Sequence, residues 1–197
     1  MKISLIGLSG TNGSGKDTLG AILAEDYGYL FISVTDLLRN EARKQNLPIE
    51  REVLRKISSD WRKESGLGVL VDKALKTFKE QTKSYNGLVI SSLRNPGEAD
   101  RVHELDGKVI WVDASARLRY DRIQKNKEAR GRTSEDNKSY ETFLEEEKAE
   151  MSSDSNDETK LNMSAVKDKS DLTILNNFSD LNELKDDLKS KLNLLEA

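Results

Sequence analysis

The 197-residue chain contains no cysteine, which excludes disulfides, thiolate metal sites and cysteine nucleophiles. It has one histidine, His103, in the polar stretch Glu98 to Glu104, where it reads as facing solvent. Multi-histidine metal sites and histidine proton relays are poor expectations for such a chain. Aromatics make up 6% of residues and the formal net charge is -3, so nothing points to general nucleic-acid or membrane affinity. No run approaches the ~20 apolar residues that span a bilayer. Met1-Lys2 leads straight into a short apolar stretch with no cleavage-like segment, and the expectation is a cytoplasmic protein. The two prolines, Pro48 and Pro96, punctuate helical patterns. What remains, 36% hydrophobic and 34% charged residues, suits one polar globular domain with its own core.

The most informative stretch is Ile3 to Thr18, ISLIGLSGTNGSGKDT. The strand-like run Ile3-Ser4-Leu5-Ile6 enters a glycine-rich loop, Gly10-Thr11-Asn12-Gly13-Ser14-Gly15, and Leu19 to Ala24 continues as a helix. Phosphate needs this arrangement. Small residues let backbone N–H groups turn inward around its oxygens, and the helix starts with its positive dipole end aimed at them. Lys16 adds a full charge where β- and γ-phosphates would lie, and Thr18 adds a hydroxyl.

Further along, Tyr29 to Ser33 reads as a second strand, and Thr35-Asp36 as the cap of a helix from Leu37 to about Gln45. Helical patterns follow from about Glu50 to Lys63 and from Val69 to Gln81. Leu88-Val89-Ile90 reads as a buried strand, Pro96 opens a helix to about Leu105, and Lys108 to Asp113 is the clearest central strand. Ser115 precedes a basic helix from Ala116 to about Lys127. Leu172 to Leu175 is a last strand, and Asp180 to Leu195 a last amphipathic helix. Ser152 to Lys160 reads as an exposed mobile connection. Alternating strands and helices imply a three-layer α/β/α fold around a five-stranded parallel sheet. Ligands of such sheets sit beyond the strands' carboxyl ends, which puts the loops after Ile6, Ser33, Ile90 and Val112 on one rim.

That rim carries Asp36 and Arg39, then Ser91-Ser92 and Arg94 to Glu98, then Asp113. Arg39 and Arg94 are suited to hold a second phosphate opposite Lys16, because guanidinium forks grip phosphate bidentately. Arg122, Arg130 and Arg132 lie beyond, in a segment able to fold over the site. Arg117, Arg119, Lys125 and Lys127 read as surface charges. Asp17 stands where many phosphate loops carry Ser or Thr. Its carboxylate could hold Mg²⁺ or cap the helix, and the residues leave both open. Asp36 and Asp113 are further metal candidates.

The segments Gly10 to Thr18, Ser33 to Arg39, Leu93 to Glu98 and Arg122 resemble the nucleoside monophosphate kinase family of P-loop proteins. The closing stretch Ser170 to Asn176, with Ser179, Leu181 and Leu184, is similar to that of dephospho-CoA kinases and related archaeal nucleotide kinases. The resemblance implies a P-loop kinase fold with core 1–34, 86–122 and 170–197, a helical acceptor-binding region 35–85 and a lid 123–150. It implies ATP and Mg²⁺ as cofactors and a small phosphorylated acceptor, with the chain a monomer or weak dimer. Gly10 to Thr18 and Asn176 would then bind ATP, with Asp17 and Thr18 near the metal. Asp36, Arg39, Arg94 and Glu98 would bind the acceptor, and Lys16, Arg94, Arg122 and Arg132 would act in catalysis. Two departures stand out. Ser91-Ser92 replaces the acidic residue that such kinases often carry there, and the His-Pro pair of dephospho-CoA kinases is missing. A non-catalytic ATP-binding regulator and a kinase of nucleic-acid ends are the alternative readings.

Overall fold

Short runs rich in β-branched and aliphatic residues form β1 (Leu5–Gly10), β2 (Tyr29–Ser33), β3 (Gly87–Leu93), β4 (Lys108–Asp113) and β5 (Leu172–Leu175). The computed structural model describes residues 4–128, 136–151 and 157–196. The strands pair in parallel in the order β2-β3-β1-β4-β5, so β1 is central and the chain crosses over it between β3 and β4.

Successive residues of the strands enter opposite cores, as a period of two dictates. Leu5, Leu88, Ile90 and Val109 pack on one face against helices α2 (Val34–Lys44), α3 (Arg51–Ser65), α4 (Val69–Lys79) and α5 (Pro96–Glu104). Ile6, Leu8, Val89, Ile110 and Val112 pack on the other against α1 (Lys16–Tyr27) and the closing helix, which buries Leu184, Leu188 and Leu192. Three further helices complete the described chain: α6 (Ala116–Asn126), α7 (Tyr140–Met151) and α8 (Met163–Asp168), before that closing α9 (Leu181–Glu196). The fold is the expected three-layer α/β/α sandwich on a five-stranded parallel sheet. No helix among the described residues is long and apolar enough to cross a membrane.

Several boundaries differ from the sequence reading. Helix α2 starts at Val34, because Ser33, extended at φ -91° and ψ 123°, already occupies the cap position. Thr35 and Asp36 therefore lie inside the first turn, where the dipole favours the Asp36 carboxylate. Strand β3 runs on through Ser91 and Ser92 to Leu93, with a bulge: Leu8 pairs with Ser91 but Ser9 with Leu93. The extra residue, Ser92, takes a left-handed φ of 74°. That conformation is costly for a residue with a Cβ and typical of functional rims. Helices α7 and α8 have no counterpart in the sequence reading. Asp157 to Lys160 is stapled rather than loose: Asn95 donates to the Glu158 and Lys160 carbonyls at 2.7 and 2.8 Å, and Arg62 to the Thr159 carbonyl at 2.9 Å. His103 is half-buried and hydrogen-bonds Asp171 at 2.9 Å.

Candidate functional site

The loop between β1 and α1 is shaped by its glycines. A Cβ on Gly10, at φ 145°, would sit 2.0 Å from the Val112 carbonyl, and one on Gly15, at φ 92°, would sit 2.4 Å from Asn176 Nδ2. Only glycine fits either place. Gly15 stands at the cap of α1 with no side-chain hydrogen bond to it, leaving the helix N-terminus facing the loop. Lys16 is the first helical residue and is 7% exposed. Inside the loop, Ser14 Oγ is buried with no hydrogen-bond partner among the described residues.

Two carboxylates organise the loop from either side. Asp113, at the end of β4, accepts from Thr11 Oγ1 at 2.9 Å and from the Ala114 amide at 2.8 Å. Asp17 accepts from Ser91 Oγ at 2.5 Å. The carboxylate missing from the end of β3 is thus supplied across the sheet edge by the first turn of α1. Asp17 and Thr18 offer hard oxygen donors, which fit Mg²⁺; that ion commonly takes one or two protein oxygens and completes its shell with water and phosphate. Among the described residues no group of three His, Cys, Asp or Glu side chains could hold a metal.

Asn176 follows β5 and is tied into the loop. Its Nδ2 donates to the Ser14 carbonyl at 2.8 Å and its amide to the Asp113 carbonyl at 2.7 Å. Arg122 donates to the carbonyls of Asn176 (2.9 Å) and Phe178 (2.8 Å), and burial lowers its pKa. With Gly15, Thr18 and Phe178 these residues line an open cleft of about 380 Å³. The Arg122 guanidinium stands in the wall of this cleft. Arg130 and Arg132 lie outside the described residues.

On the other side of the loop, Asn12, Thr35, Leu38, Ser92 and Leu161 line a smaller cavity of about 80 Å³, together with Arg39, Arg51, Arg55, Arg62 and Arg94. The single carboxylate among its described lining residues is Glu150, from α7. It accepts from Arg94 at 2.7 Å and from Arg55 at 2.9 Å, with Arg51 at 3.6 Å. Burial alone would push the Glu150 carboxyl up, but Arg94, Arg51 and Arg55 outweigh it and hold the pKa at about 2.

The residues expected to bind the acceptor fall into two groups. Arg39 and Arg94 both reach the cavity, and the phosphate loop forms its far wall through Asn12. Asp36 and Glu98 are not on the wall. Asp36 is exposed and pairs with Arg39 at 2.9 Å. Glu98 is fully buried: it accepts from the amides of Arg94 (2.7 Å) and Asn95 (3.1 Å), closing a capping box, and pairs with Arg62 at 2.6 Å. Glu98 therefore positions Arg94 instead of touching a ligand. Arg119, read as a surface charge, is 3% exposed. It donates to the Ala114 carbonyl at 2.8 Å and the Asn12 carbonyl at 3.3 Å, and pairs with Glu147. Arg117 is exposed and pairs with Asp121, as read.

The residues that sequence reasoning missed are Arg51, Arg55, Arg119 and Glu150. Arg51 and Arg55 lie one turn apart on α3, a spacing that puts both on one face. Nothing in the sequence says that Glu150 meets them.

A family model described as an AAA domain matches residues 6–151, a span that starts in β1 and ends with α7. A UPF0200 protein of Pyrococcus abyssi is 30% identical over 151 residues, covering 75% of this chain and 78% of that one. A UPF0200 protein of Pyrobaculum aerophilum is 29% identical over 188 residues, covering 94% and 95%. Among solved structures, TT1252 from Thermus thermophilus aligns with a TM-score of 0.58 at 18% identity, covering 99% of each chain. Shikimate kinase from Bacteroides thetaiotaomicron aligns with a TM-score of 0.58 at 11% identity, covering 98% of this chain and 99% of that one. At such identities these structures share the fold alone. A phosphate loop on a five-stranded parallel sheet, a matching AAA-domain model and a 30% identical relative converge: the chain belongs to the AAA-domain family and to the UPF0200 proteins.

Proposed function

We propose that this protein is an ATP- and Mg²⁺-dependent phosphotransferase that moves the γ-phosphoryl group of ATP onto a small phosphorylated acceptor, with nucleoside monophosphates the first class to test. The observation that carries the reading is that one residue, Asn12, belongs both to the phosphate loop and to the wall of an arginine-lined cavity. Two sites built for anions that adjoin across one loop residue are what transfer between anionic partners requires.

In this reading the amides from Gly10 to Gly15, with Lys16, hold the donor phosphates. The cleft beside Asn176 and Arg122 has room for the nucleoside. Asp17 and Thr18 would hold Mg²⁺, which supplies charge neutralisation across the donor phosphates when bound. Arg39 and Arg94 hold the acceptor phosphate, Glu98 fixes the backbone of Arg94, and Asp36 orients Arg39. Arg132 belongs to the proposed lid, residues 123–150; the proposed acceptor region is 35–85 and the core 1–34, 86–122 and 170–197. A phosphorylated acceptor brings its own nucleophilic oxygen, so a general base is not required.

The basic stretch from Arg117 onward does not support a nucleic-acid acceptor. Arg119 and Arg122 turn inward onto backbone carbonyls, which removes two charges from any basic face. A coupled assay of ADP release across nucleoside monophosphates and dephospho-CoA tests the proposal. The expected result is one acceptor far above the water background, with loss of turnover in Lys16→Ala. Turnover at background for every acceptor, while Lys16→Ala still abolishes ATP binding, would leave a nucleotide-binding regulator instead.

A further inference from the structure

Helix α7 carries an acidic face, and that face is spent on the two anion sites. Glu147 pairs with Arg119 behind the phosphate loop, Glu146 with Arg51 at 2.8 Å and with Lys138, and Glu150 with Arg94 and Arg55. The two ends of the helix are held differently. At the start, Tyr140 and Phe143 pack with Tyr120 of α6, with ring centroids 5.3 and 5.8 Å away, and Phe143 is 2% exposed. Tyr120 also donates to the Lys138 carbonyl at 2.8 Å. This end is an apolar anchor. The other end is held to α3 and to the β3 rim by charge, through Arg51, Arg55 and Arg94.

Glu150 is peculiar among these acids. Its side chain is 8% exposed, and three arginines from two different elements converge on its two oxygens. A structural ion pair needs one partner. Arg51 also pairs with Glu146 at 2.8 Å, so three guanidinium groups meet two carboxylates here, one positive charge in excess while Glu150 is seated and two once it swings away. The arrangement has the donor number and planarity of an oxyanion receptor.

We infer that Arg51, Arg55 and Arg94 form an oxyanion subsite for the phosphate or a carboxylate of the acceptor, and that Glu150 is its internal occupant, displaced when the acceptor binds. The inference rests on the acceptor site proposed above and deepens it. Two arginines of α3 join Arg94, and the acceptor must carry an oxyanion able to out-compete a carboxylate. A dianionic phosphate meets the surplus charge better than a monoanionic carboxylate. Displacement frees the charged end of α7 while the aromatic end stays anchored. The helix can then shift without leaving the fold.

Isothermal titration with inorganic phosphate and, in a second arm, acetate, on the intact protein and on Glu150→Gln, tests the inference. Glutamine keeps the shape and removes the competing charge. The expected result is at least tenfold tighter phosphate binding in Glu150→Gln, lost again in Glu150→Gln with Arg55→Gln. Tightening of acetate more than phosphate would assign the site to a carboxylate. Equal binding in wild type and a folded Glu150→Gln overturns the subsite. Should Glu150→Gln fail to fold, hydrogen exchange on the wild-type protein decides. Phosphate must accelerate exchange in residues 146–151 and leave 140–143 unchanged, and no change in either segment overturns the inference. Tightening without phosphoryl transfer in any assay supports the subsite and removes the kinase reading. Transfer without tightening does the reverse.

Discussion

The two anion sites of this molecule are built from different materials. The phosphate loop is backbone. Its amides, its helix terminus and its positive-φ glycines form a mould to which Lys16, Asp17 and Thr18 add side-chain chemistry, and most of its shape follows from local sequence. The arginine cavity is side chain. Its cations come from α2, α3 and the β3 rim, its one carboxylate among the described residues from α7, and almost none of it is local. A backbone mould is rigid and general for phosphate; a set of long side chains is adjustable and, under the proposed function, would set which acceptor is admitted.

The largest expected effect breaks the support of the arginine cavity. Glu98→Ala removes the capping box and strands the buried Arg62 guanidinium, whose side chain is 2% exposed. Breaking such a pair costs about 3–5 kcal/mol. Chemical denaturation should show a loss of that size, with Arg94 no longer held to the cavity.

Acid comes next, acting on the side-chain site through Glu150. Glu150 has a folded pKa of about 2 against an ordinary 4.5. A depressed carboxyl stabilises the fold fully above its unfolded value and loses that contribution as pH falls through the window from 4.5 to about 2. The contribution is about 3 kcal/mol. Glu150→Gln should flatten that part of the stability-against-pH curve, which denaturant melts at stepped pH will measure.

The third test loosens the mould. Asn176→Ala removes the donor to the Ser14 carbonyl, worth about 1 kcal/mol, and should weaken ATP binding several-fold with little change at the arginine cavity. The smallest effect is at Arg117, whose pair with Asp121 is exposed. Arg117→Ala should change stability by less than about 0.5 kcal/mol and leave nucleotide binding untouched.

The same contrast explains what could be read in the sequence. The loop from Gly10 to Thr18, the five strands and the rim position of Arg39 and Arg94 are legible because each depends on a short local pattern. Strand β3 ran longer than Leu88-Val89-Ile90 because Ser91 and Ser92 are polar residues buried by partners elsewhere, Asp17 and the bulge opposite Ser9. Glu98 carried a motif-like position but a structural task. Arg119 looked like one more charge on a basic helix; its burial depends on Glu147, 28 residues away. Glu150 gave no signal at all, since its partners on α3 lie nearly a hundred residues earlier.

In the proposed function the two sites face one another across a transfer path. The most direct measurement is the affinity of a bisubstrate compound, adenosine joined through a chain of phosphates to a second nucleoside, for the wild-type protein, Lys16→Ala and Arg94→Ala. The expected result is binding at least a hundredfold tighter than ATP, with each variant losing most of that gain. Binding no tighter than ATP, and unchanged by Arg94→Ala, would contradict it.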